Sequence, residues 1–223
     1  MNKFFPLIFV SSLVASTAQA QSLATSKDSL SYALGRDIGS SLKNAGFDID
    51  IQVLSEAISS SLAQQEGLFG DEQNSQIIQG AVKKLMDERN AVLRQPGEDF
   101  LAKNKTNPNI KVTAEGVQYE VLVQGEGIQA TVEDEVVVHY KGSLIDGKQF
   151  DSSYDRGEPV NLDLDRVIEG WKIGIPLMKT GSKYKFYIPY HLGYGERGAG
   201  EIPAFSTLIF EVELLEIKAK NAV

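Results

Sequence analysis

The spacing of apolar residues divides the chain into two parts. From residue 26 to residue 95, apolar positions recur every three or four residues, which is the period of an α-helix. From residue 112 onward, apolar and polar residues alternate, which is the period of a half-buried strand. We therefore expect an all-α segment followed by a segment built mainly of strands.

The first part predicts three helices, each with an apolar stripe. The stripes consist of Leu30, Leu34, Ile38 and Leu42, then Leu54, Ile58 and Leu62, and finally Ile78, Val82 and Leu85. We expect the first helix to be capped by Ser26 or Asp28 and to end at Gly46. The second is expected to start from Asp48 or Asp50, and the third near Asp71. Helix is disfavoured at the residue before a proline, so Pro96-Gly97 should break the third helix.

Three short helices cannot bury such broad stripes by themselves. One interpretation is a small helical domain docked on the rest of the chain. The interpretation that we prefer is that the stripes pack against a second copy of the chain.

The second part predicts an antiparallel sheet around one short helix. Alternating residues mark strands at 117–123, 136–140, 160–164, 184–188 and 208–214, and Asp146-Gly147 marks a turn. The short helix carries Val167, Ile168 and Trp171 on one face and is limited by Pro176. One short helix cannot connect five or six strands into βαβ units. We therefore predict an α+β fold, an antiparallel β-sheet wrapped on the helix.

The N-terminus predicts export. Lys3 precedes an apolar run, and Ala18-Gln19-Ala20 provides a cleavage site, so residues 1–20 are interpreted as a signal peptide. The chain has no cysteine, which excludes a thiol nucleophile, a thiolate metal site and a disulfide, and suits an oxidising periplasm. No later stretch is long and apolar enough to span a bilayer. We expect a periplasmic protein, with association at the outer-membrane surface left open.

Charge and motifs exclude several classes of function. The net charge of -8 argues against nucleic acid or an anionic membrane as a partner. The G-x-G-x-x-G at residues 193–198 is followed by no predicted helix, so we expect a loop and not a dinucleotide site. His139 and His191 lack a carboxylate at metal-ligand spacing, and Ser152-Ser153 lacks a nucleophile elbow. No cofactor and no metal are expected.

An aromatic set remains as the candidate site. It comprises Tyr140, Phe150, Trp171, Tyr194 and Phe210, together with Val167, Ile168 and the carboxylate of Asp151. A plain hydrophobic core would contain similar residues. Buried hydroxyl and carboxyl groups need hydrogen-bond partners, however, and this grouping therefore favours a binding pocket.

These residues lie in motifs that resemble a known family. Residues 113–218 resemble an FKBP-type peptidyl-prolyl cis-trans isomerase domain in the segments VHYKGSLIDGKQFDSS, VIEGW, LGYGERGAG and STLIFEVELLEI. With the signal peptide and the helical part, the chain resembles the exported, Mip-like (macrophage infectivity potentiator-like) branch. The resemblance implies a signal peptide at 1–20, a helical dimerisation domain at 21–95, a short helix and linker at 96–112 and the isomerase domain at 113–218.

The resemblance also implies site residues. The catalytic set would be Tyr140, Phe150, Asp151, Trp171, Tyr194 and Phe210, and the substrate-binding set would be Val160, Val167, Ile168 and Ile202. Trp171 would form the floor under the proline ring. The Ile168 amide and the Tyr194 hydroxyl would donate to substrate carbonyls. We hypothesise that Asp151 orients the pocket and polarises the carbonyl without acid–base catalysis.

The implied function is acceleration of Xaa-Pro isomerisation in unfolded or nascent exported polypeptides. The dimer, formed through residues 21–95, would add chaperone activity in its cleft, and tacrolimus and rapamycin are candidate inhibitors. The alternative is a non-enzymatic holdase that only grips proline-containing segments.

Three departures from the family pattern affect these expectations. The loop from Gly198 to Pro203 is shorter, with Ala204 where a second proline is common, and Val160 stands at a position that is aromatic in some members. The helix that leads to the isomerase domain is shorter by about seven residues, nearly two turns. We expect a short arm hinged at Pro96-Gly97.

Overall fold

The computed structural model describes residues 24–218. The signal peptide predicted for residues 1–20 lies outside this range. The chain divides into two compact units, one ending at Asp71 and the other beginning at Glu72. Within residues 24–218, no helix combines the length and the apolar character that a membrane span requires.

From residue 24 onward, the first unit consists of two helices, α1 (Ser26–Ala45) and α2 (Ile51–Leu62). The N-cap of α1 is Thr25, so the predicted cap at Ser26 or Asp28 is wrong. The Thr25 side chain accepts from the Asp28 N–H, and the Asp28 side chain accepts from the Thr25 N–H. Gly46 ends α1 at φ +83°, as its position predicted. Asp50 caps α2, which confirms one of the two predicted starts.

The third helix, α3 (Asp71–Asn104), is continuous through Pro96, so the break and the hinge that were predicted at Pro96-Gly97 are wrong. Proline removes one backbone hydrogen bond and clashes with the preceding turn, which costs about 3 kcal/mol or more. Tertiary contacts of the last turns offset this cost. Gly97 is buried so close to Thr207 that a Cβ would lie 2.5 Å from its Oγ1. Phe100 also packs on Tyr187, with ring centroids 5.9 Å apart.

The remaining chain forms a seven-stranded antiparallel sheet. The strands are β1 (Lys111–Val112), β2 (Gln118–Val123), β3 (Glu135–Leu144), β4 (Gln149–Ser152), β5 (Val160–Asp163), β6 (Lys183–Ile188) and β7 (Leu208–Lys218). Their order is β1-β2-β6-β7-β3-β4, and β5 pairs with the start of β3 on the side that β4 occupies further along. This confirms the predicted antiparallel sheet and the α+β class.

The sheet wraps on α5 (Glu169–Gly174), and the short helix α4 (Ser153–Arg156) follows β4. The core contains Trp171 from α5 with side chains from β3, β6 and β7. Val167 and Ile168 were predicted on the helix face with Trp171, but both have non-helical backbone (ψ 174° and 149°) and precede the helix. A 3-10 turn (Ile175–Leu177) containing Pro176 follows α5, as the proline predicted.

Candidate active site

A cavity of about 620 Å³ opens between the β3–β4 region, α5 and the loop before β7. Nine of the ten predicted site residues line it, namely Tyr140, Phe150, Asp151, Val167, Ile168, Trp171, Tyr194, Ile202 and Phe210. Val160 does not line the cavity. It lies opposite Val138 in the sheet and packs against the core, whereas Leu162 of the same strand lines the wall.

Trp171 forms the base of the cavity with two rings held edge-to-face against it. The Tyr140 and Phe210 ring centroids lie 5.1 Å and 4.9 Å from that of Trp171, at interplanar angles of 79° and 75°. Phe150 packs in the same manner on Phe210, at 5.5 Å and 86°. Such edge-to-face contacts are the favoured aromatic geometry. The Trp171 Nε1 is buried and has no hydrogen-bond partner within residues 24–218. The floor of the cavity is therefore formed by packed aromatic rings.

Gly142 on β3 lets these rings close together, and sequence reasoning missed it. The residue lies opposite Phe210 in the sheet. A Cβ at this position would lie 2.6 Å from Phe150 Cε2 and 2.8 Å from Phe210 Cε1. A glycine inside a strand pattern is the signal that could have found it, since such glycines often mark close approach.

Tyr140 and Asp151 form the polar wall of the cavity, and Arg156 holds them from outside the lining. The Tyr140 hydroxyl donates to Asp151 Oδ2, and Arg156 Nη1 donates to Asp151 Oδ1. Arg156 Nη2 donates to the Tyr140 hydroxyl oxygen over 3.0 Å. Arg156 was not among the predicted residues. Its position at the end of α4, five residues after Asp151, depends on a helix that the sequence pattern did not predict.

These contacts determine which groups are charged. Burial acts to raise the pKa of Asp151, but the hydrogen bonds from Tyr140 and Arg156 outweigh it, and the pKa lies below its ordinary value. Burial, and next the hydrogen bond to Asp151, raise the pKa of Tyr140. The wall therefore holds an ionised carboxylate beside a neutral phenol at neutral pH.

Ser153 and His139 support this wall from behind. The buried Ser153 Oγ accepts from the Tyr140 N–H over 2.8 Å and lies 2.9 Å from His139 Nδ1. The His139 ring stacks on Tyr154 at 4.5 Å. Both residues therefore have the hydrogen-bonding and structural roles that the sequence favoured over nucleophile and metal ligand. Among residues 24–218, no group of three or more His, Cys, Asp or Glu side chains could hold a metal ion.

The loop from Gly193 to Phe205 forms the opposite wall. It contains no α-helix, which confirms the loop that was predicted for the glycine motif. Ala199 and Ile202 exchange two backbone hydrogen bonds of 3.0 Å and 2.8 Å, which places residues 199–202 along the cavity. Lys148 Nζ on the β3–β4 turn contacts Glu201 Oε2 at 2.9 Å and tethers the loop to the other wall.

Comparison with known proteins matches both parts of the chain. The sequence model for "FKBP-type peptidyl-prolyl cis-trans isomerase" matches residues 126–215, and that for "Domain amino terminal to FKBP-type peptidyl-prolyl isomerase" matches residues 27–121. The chain is 36% identical to the peptidyl-prolyl cis-trans isomerase Mip of Coxiella burnetii, over 96% of this chain and 97% of that protein. This chain belongs to the FKBP-type peptidyl-prolyl cis-trans isomerase family.

Further members of the FKBP family agree with this assignment. The chain is 39% identical to an FKBP-type isomerase FkpA of Aeromonas hydrophila, over 86% of this chain and 76% of that protein. The crystal structure of FkpA from Escherichia coli superposes with a TM-score of 0.57 at 35% identity, covering 88% of this chain and 99% of that one. The FKBP-type chain described here is therefore a peptidyl-prolyl isomerase, and its fold is an FKBP domain preceded by a helical region.

Proposed function

We propose that Xaa-Pro bonds rotate in the aromatic cavity during the folding of exported proteins. The observation that carries this proposal is the aromatic floor of Trp171, held edge-to-face by Tyr140 and Phe210. The proline ring packs on this floor. Phe150, Asp151 and Tyr194 complete the catalytic set, while Val167, Ile168 and Ile202 hold the flanking peptide.

The reaction requires rotation and no proton transfer. Amide resonance opposes the rotation with a barrier of about 18–20 kcal/mol. The planar amide is more polar than the twisted one, because resonance places negative charge on its oxygen. The apolar rings of the floor therefore destabilise the planar ground state relative to the twisted state, and a rigid floor shaped for the twisted proline adds differential binding.

Polar groups at the edge of the floor orient the peptide. The Ile168 amide donates to one substrate carbonyl and the Tyr194 hydroxyl to another. Burial, and next the charge of Asp151, raise the pKa of Tyr194, so its hydroxyl is a neutral donor at physiological pH. The Asp151 carboxylate, fixed by Tyr140 and Arg156, directs its charge toward the carbonyl that twists.

The helical region supports a dimeric chaperone role. The α1 stripe remains in solvent in the single chain, with Leu30, Leu34 and Ile38 exposed by 61%, 54% and 43%. We infer that residues 21–95 pair with a second copy and that the resulting cleft retains unfolded, proline-containing clients. The predicted signal peptide and the relative named "Outer membrane protein MIP" from Legionella longbeachae support export to the periplasm.

The test is cis/trans interconversion of an Xaa-Pro peptide by residues 21–223, with and without excess rapamycin. We expect catalysis that the drug abolishes. Trp171→Leu should lower kcat/KM at least about tenfold, since a tenfold loss corresponds to only 1.36 kcal/mol of transition-state stabilisation. Phe100→Leu, an aromatic change on α3 outside the cavity, is the control.

Other outcomes would each revise the proposal differently. Catalysis that resists rapamycin would retain the enzyme and point to a changed cavity wall at residues 198–204. Full activity in Trp171→Leu would place the reaction elsewhere. Absence of catalysis on any peptide, with retained binding of proline segments, would favour the holdase.

A further inference from the structure

Three charged side chains line the cavity, and they differ in how they are paired. Asp151 is held by Arg156, and Glu201 contacts Lys148 at 2.9 Å. Arg166 is the single cationic side chain among the cavity-lining residues of the described chain. The two acidic groups therefore have a cation in close contact, and Arg166 contributes positive charge to the cavity.

Arg166 has the freedom to meet a ligand. It ends the 3-10 turn Leu164–Arg166, directly before Val167 and Ile168 in the cavity wall. Its side chain is 79% exposed, and its ion pair with Asp163 is long, at 3.6 Å. Exposed pairs of this kind hold their partners weakly. A carboxylate presented in the cavity can therefore compete with Asp163, and a guanidinium can bind it through two parallel hydrogen bonds.

We propose that Arg166 determines sequence specificity by favouring substrates with an acidic side chain next to the proline. The inference rests on the proposed placement of the reaction in this cavity. The flanking residues of the bound segment cross the rim where Arg166 lies. At this rim, the guanidinium attracts a substrate carboxylate and repels a substrate lysine.

The net charge of the molecule gives the opposite expectation. A chain of net charge -8 attracts basic peptides and repels acidic ones at long range. If the overall field set the preference, lysine beside the proline would be favoured. A preference for glutamate over lysine would therefore identify the local effect of Arg166.

The experiment compares proline peptides that carry glutamate, leucine or lysine on either side of the proline. For the full chain, we expect the kcat/KM ratio of the glutamate to the lysine peptide to exceed one on at least one side. Arg166→Gln should lower that ratio about twofold to fivefold, the range of exposed charge pairs. Arg166→Glu should lower it further and raise the lysine-to-leucine ratio, and salt should reduce all these differences.

Arg197→Glu is the matched control. It makes the same charge change in the exposed part of the glycine loop, outside the cavity lining. Equal changes in Arg166→Glu and Arg197→Glu would overturn the inference in favour of the overall field, and so would an unchanged ratio in Arg166→Glu.

Trp171→Leu, assayed on the leucine peptide, distinguishes failure of the specificity role of Arg166 from failure of the proposed site. Loss of activity in Trp171→Leu with no ratio change in Arg166→Glu would retain the proposed site and refute the specificity role. Unchanged activity in Trp171→Leu would refute the proposed site and, with it, the basis of the inference.

Discussion

At the scale of single residues, the surroundings of Asp151 determine what its carboxylate can do. Both oxygens accept hydrogen bonds, one from Tyr140 and one from Arg156, and hydrogen bonds to an ionised group are about twice as strong as neutral ones. A group held in this way is a fixed negative charge. It orients a dipole well and accepts a proton poorly, which agrees with a reaction that moves no proton.

Asp151→Asn should lower kcat/KM about tenfold, because it removes the fixed charge and leaves Arg156 without its anionic partner; a tenfold loss corresponds to 1.36 kcal/mol. The measurement is kcat/KM on one peptide, with circular dichroism to verify folding. Asp155→Asn, on the adjacent α4, is the control. Full activity in Asp151→Asn would show that the charge is irrelevant.

The lowered pKa of Asp151 also predicts how stability depends on pH. A carboxyl whose pKa is lower in the folded than in the unfolded state stabilises the fold above its unfolded pKa of about 3.9. This contribution is lost as the pH falls through the folded pKa. In urea titrations between about pH 5 and pH 2, wild-type stability should therefore fall more than that of Asp151→Asn. Parallel curves would contradict this assignment.

Aromatic and acidic site residues could be predicted from the sequence. A glycine that matters because it has no side chain, and a residue that contacts the site from a distant position, could not. The aromatic floor and Asp151 follow from the motif pattern. Gly142 contributes by having no side chain, and its role depends on the approach of Phe150 and Phe210 in space. Arg156 reaches Tyr140 across sixteen positions of sequence, which no local period indicates.

At the scale of elements, two glycines of α5 face the sheet and allow the helix to pack closely against it. A Cβ at Gly170 would lie 2.4 Å from Ile188 Cγ2, and one at Gly174 would lie 2.7 Å from Phe186 Cε1. Both distances are shorter than two non-bonded carbon atoms can approach, so a Cβ at either position would clash. The two glycines therefore set the depth of the helix, and through it the depth of Trp171 in the cavity.

Gly174→Ala should destabilise the fold by about 1–3 kcal/mol, the usual cost of overpacking a core. The displaced helix should also lower kcat/KM. Urea unfolding measures the first effect and the peptide assay the second. Gly80→Ala is the control. In α3 it has no neighbour within 4 Å, and alanine there should leave the fold unchanged or more stable by up to about 1 kcal/mol. Equal effects of both substitutions would refute close packing as the cause.

The element boundaries show where local sequence signals fail. Gly46 and Asp50 end and start helices because nothing nearby opposes them. Pro96 gives an equally strong signal, yet α3 continues, because its last turns are held by the sheet. Gln118 Nε2 donates to the Leu101 carbonyl over 2.8 Å, and Asn104 donates to Gln118 over 2.9 Å. Packing of α3 against the sheet outweighs the local cost of Pro96, which is the only one of the two effects that the sequence shows.

At the scale of the whole molecule, the two parts of the chain differ in how they bury their apolar residues. The isomerase domain buries its own core, with Phe186, Leu164 and Ile175 fully inaccessible. Helices α1 and α2 contain no buried residue in the single chain. The sequence period predicts this difference, since a broad stripe on too few helices needs a partner. The apolar period of a single chain does not indicate which molecule that partner is.

The dimer proposal makes a prediction for assembly. Full-length protein should sediment as a dimer, and Ile38→Glu should weaken the dimer at least about a hundredfold. Burying an isoleucine contributes about 1.5–3 kcal/mol, and in a symmetric pair the substitution removes that contribution twice. Sedimentation across a concentration series measures the dissociation constant, and suppression of aggregation of an unfolded client should fall with it.

Peptide isomerisation separates the roles of the two parts, because the proposed cavity lies within the isomerase domain. Ile38→Glu should retain kcat/KM on a short peptide within about twofold, a free-energy change below 0.5 kcal/mol. Ser40→Glu adds the same charge to α1 two positions away, on the side opposite Ile38, and should remain dimeric. A wild-type monomer would refute pairing through this stripe. Equal dissociation by Ser40→Glu would attribute the loss to charge on the helix and not to the apolar face.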